Sequence, residues 1–81
     1  MGAGFVVSDK NRQAVFVELA SGEKDPVRIA KKHRLLAPAV ERVLGEFEAE
    51  KLVRRDPSGY VLTEEGERVA ADLRRQDLLK T

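Results

Sequence analysis

Val40, Val43, Leu44 and Phe47 recur at the three, four and seven spacing of a single helical face, the clearest periodicity in the chain. A stripe of that kind has to be buried against neighbouring elements. The segment is therefore expected to be a core helix whose far side is displayed to solvent or to a partner. A chain of 81 residues makes one domain and little else, because a domain near this size buries only roughly 60% of its unfolded surface. The remaining elements must all contribute to one core.

Boundary signals divide the rest of the chain. Ser8 and Asp9 can cap a first helix reaching about Ala20, with Gly22 as its stop. The run Ala14-Val15-Phe16-Val17 is locally β-prone, so caps and length carry that assignment. On a wheel, Val15, Phe16, Leu19 and Ala20 share a face, while Val17 falls to its side and needs cover from Phe5-Val6-Val7 or from a second subunit. Asp25-Pro26 pairs a capping carboxylate with proline at the first helical position and opens a second helix over 26–33. Arg34-Leu35-Leu36 connects it to the third helix, 37–51, with Pro38 in the opening turn. Leu52-Val53-Arg54 and Tyr60-Val61-Leu62 flank Asp56-Pro57-Ser58-Gly59, whose Pro and Gly suit a type I turn, so 52–62 reads as a hairpin. Thr63 caps a last helix over 64–79, with Glu64 and Glu65 in the first turn and Val69, Ala70 and Leu73 facing the core. Leu78-Leu79, Val17 and Phe5 to Val7 look like more apolar surface than one small core absorbs, which motivates a homodimer. Residues 1–81 thus read as one domain, mainly α with a small β-hairpin.

Several function classes find no support. The chain has no cysteine, one histidine and acids interleaved with arginine and lysine along its helices. That pattern suits solvated faces and leaves no nucleophilic triad, acid-base pair or metal-ligand set. No enzyme activity, cofactor or metal is expected. Gly2-Ala3-Gly4 lacks the preceding strand and third glycine of a dinucleotide loop. Val6 stands where a myristoylation motif wants Ser or Thr. With no secretory segment and no apolar run long enough for a bilayer, a cytoplasmic protein is expected.

Asp25-Pro26-Val27-Arg28-Ile29-Ala30-Lys31-Lys32, Val40-Glu41-Arg42-Val43-Leu44-Gly45-Glu46-Phe47-Glu48, Leu52-Val53-Arg54-Arg55 and Tyr60-Val61-Leu62-Thr63-Glu64-Glu65-Gly66 together resemble winged helix-turn-helix transcriptional regulators. The resemblance is greatest to the small archaeal regulators related to the MarR and ArsR groups, and it covers roughly Phe5 to Arg75. It implies a three-helix core, a two-stranded wing and a C-terminal helix. It also implies a regulator that binds double-stranded DNA, with helix 37–51 in the major groove and helix 26–33 across the sugar-phosphate backbone.

Charge divides those two helices. Residues 21–36 carry Lys24, Arg28, Lys31, Lys32 and Arg34 against Glu23 and Asp25, a balance of +3, although the whole chain is only +1. Residues 37–51 carry Arg42 and Lys51 against Glu41, Glu46, Glu48 and Glu50, a balance of −2. The residues expected to touch DNA are therefore Lys24, Arg28, Lys31, Lys32 and Arg34 on phosphates, Ala39 and Arg42 in the groove, and Arg54 and Arg55 at the hairpin base.

Each of these has a plainer alternative. The α-helical cations can be a solvated face, and Arg42 fits either a groove contact or an ion pair with Glu46 at the four-residue spacing. His33 sits where imidazole satisfies carbonyls at a helix C-terminus. Tyr60 fits strand packing better than stacking on a base, and Asp56 argues against deep insertion of the hairpin into an anionic groove. Opposite the buried stripe, Pro38, Arg42, Gly45 and Ala49 form a smooth face poor in hydrogen-bonding groups. That face supports the competing expectation, a winged-helix protein-protein interaction module whose third helix docks on a partner.

Overall fold

Asp25 accepts a hydrogen bond from Val27 N at 2.9 Å and Pro26 takes the first turn, so the second expected helix begins where its capping chemistry places it. In the computed structural model, which describes residues 2–76, the order is α1 (Gly2–Val7), α2 (Lys10–Ala20), α3 (Pro26–His33), α4 (Ala37–Ala49), β1 (Val53–Asp56), β2 (Gly59–Leu62) and α5 (Glu64–Arg75). The strands form a two-stranded antiparallel sheet with Val53 opposite Leu62 and Asp56 opposite Gly59. A mainly helical chain with one hairpin is consistent with a winged-helix-like layout.

The α4 stripe is buried as its period requires: Val40, Val43, Leu44 and Phe47 are all within the core. Phe47 is its hub, because all three phenylalanines of the chain meet there. Phe5 and Phe16 stand edge-on to it, with ring centroids 6.0 and 5.6 Å away. Ile29 of α3, Leu52 before β1 and Leu73 of α5 are also fully enclosed. Each such side chain contributes about 1.5–3 kcal/mol relative to exposure.

The fold corrects several sequence expectations. Gly2–Val7 is a separate helix, which the capping signals did not indicate. It buries Val6, and Phe5, Val7 and Val17 pack on the same core. At these positions the apolar surplus that motivated a dimer is used within the chain, while Leu78-Leu79 lie outside the described residues. Helix α4 ends at Ala49 rather than 51, because Lys51 turns to a φ of 62°. Strand β1 runs on to Asp56, beyond the expected Arg54. Helix α5 ends at Arg75 with Gln76 as its C-cap, short of the expected 79, and 77–79 lie outside the described residues.

Two close approaches fix the hairpin. Tyr60 N donates to Lys24 O at 3.1 Å, and at Gly59, with φ +140°, any Cβ would come within 2.2 Å of that same oxygen. At Gly66 a Cβ would come within 2.2 Å of Leu52 O, so only glycine lets α5 lie directly on the chain entering β1.

Candidate nucleic-acid interface

Helices α3 and α4 are joined by three residues whose backbone sets the geometry of the site. Arg34 caps α3 in the left-handed region, with φ 55° and ψ 42°, and its N–H donates to carbonyls of the last turn. A side chain there costs about 1 kcal/mol or more, yet the conformation turns the chain sharply. Leu36 follows in an extended conformation as the N-cap of α4, with no side-chain hydrogen bond to the helix.

Each cation's availability depends on whether an acid already holds it. Lys24 is drawn onto the hairpin turn, 3.5 Å from Asp56 Oδ2 and 3.3 Å from Ser58 Oγ. Asp56 also accepts hydrogen bonds from the Ser58 hydroxyl and backbone N–H, and these, with Lys24, hold its carboxyl below the usual range. Lys32 reaches Glu18 at 3.2 Å. Arg55 lies 3.5 Å from Glu48 and over the Tyr60 ring at 5.5 Å. Arg28, Lys31, Arg34, Arg42 and Arg54 are exposed and, among the described residues, have no carboxylate partner. Ala39 is half-buried.

Two local pairings expected from spacing differ from those in the structure. Arg42 makes no direct ion pair with Glu46, because Arg12 of α2, 34 positions away in sequence, takes that carboxylate at 3.0 Å, although the Arg42 charge helps lower the Glu46 pKa. The Arg12 bond lowers the Glu46 pKa and raises that of Arg12. Arg12 also caps the Phe5 ring at 4.0 Å, which locks α1 to α2 and α4. His33 does not satisfy helix carbonyls as expected: its Nε2 lies 2.9 Å from Glu18 Oε2.

Glu18 is the residue that sequence reasoning missed. It is only 7% exposed and sits among Val15, Phe16 and Leu19 on the buried side of α2. Burial works against its charge, but hydrogen bonds from His33 and Lys32 outweigh that penalty and lower its pKa. An acid set among the apolar residues of a helix was the available signal. Its partners, 14 and 15 residues ahead, follow no local spacing.

The outer side of α4 is as bare as the wheel suggested. Pro38, Arg42, Gly45 and Ala49 are exposed, and nothing lies within 4 Å of where a Gly45 Cβ would stand. Tyr60 is buried, which makes its ring a packing element. An open cleft of about 570 Å³ involving α1 and α5 is rimmed by Glu65, Arg68, Asp72 and Arg75, whose charges engage one another. Among the described residues there is no cluster of metal-ligating side chains, and no helix is long and apolar enough to cross a membrane.

Residues 1–80 match the HVO_A0261 N-terminal domain, and the chain belongs to that family. No curated protein matches it. Among solved structures it is similar to part of NcsB1, an O-methyltransferase from neocarzinostatin biosynthesis solved with S-adenosyl-L-homocysteine, with a TM-score of 0.60 and 30% identity. The match covers 78% of this chain but only 23% of that enzyme.

Proposed function

We propose that this chain is a winged helix-turn-helix module that binds double-stranded DNA in the regulation of transcription. Helix α3 grips phosphates, α4 lies in the major groove as the recognition helix, and the β1–β2 hairpin is the wing, with Arg54 near the backbone. The observation that carries this reading is the set of exposed cations without a carboxylate partner among the described residues: Arg28, Lys31 and Arg34 around α3, and also Arg42 and Arg54. A homodimer in the cytoplasm suits the role, since a two-fold DNA site calls for recognition helices about 34 Å apart. In this reading the module binds and does not itself catalyse.

Titration of a labelled duplex with the full chain at two salt concentrations tests the reading. Log Kobs should fall against log salt with a slope near −0.9 for each phosphate neutralised. Absence of duplex binding at low salt would overturn it.

The smooth exposed face of Pro38, Gly45 and Ala49 favours a second reading, a protein-interaction module docking through α4. The similarity to a segment of an enzyme is compatible with that reading. The same titration separates the two.

A further inference from the structure

Resting on the DNA-binding reading above, we propose that the opening turn of α4 reads pyrimidine 5-methyl groups. The module then prefers duplexes that present thymine, or 5-methylcytosine, where that turn meets the major groove.

Leu36 is 78% exposed, an unusual position for leucine, and Val27 at 56% is the other large hydrophobic residue left open among the described residues. Ala37 and Pro38 are exposed beside Leu36, and Ala39 is half-buried. From Leu35 to Val40 the chain carries no polar side chain. Such a turn cannot form the paired hydrogen bonds that distinguish guanine or adenine. The one apolar group on the major-groove edge of the bases is the thymine methyl, and small apolar side chains are its complement.

The surroundings favour a polyanion over an apolar protein surface. Arg34 precedes the turn by two residues and Arg42 follows Pro38 by one helical turn; both are exposed and unpaired among the described residues. Of the two, Arg42 lies on α4 itself, where a guanidinium can hold a phosphate or read a guanine. Glu41 is exposed next to it and works against a phosphate at that point, which leaves base edges as the surface this turn can meet.

The test uses the full chain in anisotropy titrations at one low salt concentration. The first pair of duplexes is poly(dA-dT) and poly(dA-dU), which differ only by the methyl. The second is poly(dG-dC) and its 5-methylcytosine counterpart, which separates the methyl from A·T groove shape. Each methyl contacted should tighten binding about fourfold. Leu36→Ser should abolish the preference while retaining the circular dichroism of the parent, since the position is exposed and Ser is a favoured N-cap. Equal affinities within both pairs would overturn the inference and leave DNA binding standing. A preference that survives Leu36→Ser would overturn its assignment to this turn. Failure to bind any of the four duplexes would overturn the DNA-binding reading itself, and the inference with it.

Discussion

Helices α3 and α5 each carry three arginine or lysine residues, yet they present very different surfaces. In α5, Arg68 is engaged by Glu64 and Glu65 and Arg75 by Asp72, all within the same helix, while Arg74 donates to Ala20 O at 3.4 Å. In α3, Lys32 and His33 are both taken by Glu18 of α2, and among the described residues Arg28, Lys31 and the capping Arg34 have no carboxylate partner. Helix α5 supplies its own acids at the three- and four-residue spacing, whereas α3 has none. A basic residue is available to a partner according to what already holds it, and neither its count nor the chain's net charge of +1 reveals that.

The contrast can be broken most forcefully by neutralising each set. Changing Arg28, Lys31 and Arg34 together to Gln should flatten the salt dependence of duplex binding by about 2.7 in slope, one phosphate for each cation. Arg68→Gln with Arg75→Gln should leave the slope as it was. Equal effects of the two variants in a salt titration would erase the distinction between the helices.

The anchor of α3 gives the next largest effect. Glu18→Ala strands His33 and Lys32 without their acceptor, and urea unfolding should show a loss of about 1–3 kcal/mol. The pH dependence has a definite sign, because the folded pKa of Glu18 lies below its ordinary value. Its contribution is complete above the unfolded carboxylate pKa of about 4.3 and disappears as pH falls through the lower folded value. Unfolding midpoints of the parent and of Glu18→Ala should therefore converge in acid and separate towards neutrality. The smallest effect belongs to Arg68→Ala on the exposed face of α5, which thermal melting should find within about 0.5 kcal/mol of the parent.

Local signals made most of the fold legible. The α4 stripe, the Asp25-Pro26 opening, the Gly22 stop and the turn at Pro57-Ser58 act over a few residues and are all found in the structure. Helix α1 was not legible, because two glycines and two valines give six residues little helical preference of their own. Its order comes from Phe5 against Phe47, far apart in sequence, and from Arg12 of the next helix over the Phe5 ring. The candidate site divides similarly. Its cations could be named from composition along the chain. Which of them are occupied depends on Arg12 reaching Glu46, Lys24 reaching Asp56 and Lys32 reaching Glu18, and no helical periodicity encodes those pairs.

The bond from Tyr60 N to Lys24 O, reinforced by the Lys24 ammonium against Asp56, has a mechanical consequence. It clamps the rim of the β-ribbon to the residue just ahead of the α3 cap, so the ribbon lacks a free hinge at that edge. A load applied at Ser58 passes through one residue to the base of α3. Tip and helix base thus share Lys24, and the backbones that carry Arg54 and Arg28 are coupled through it.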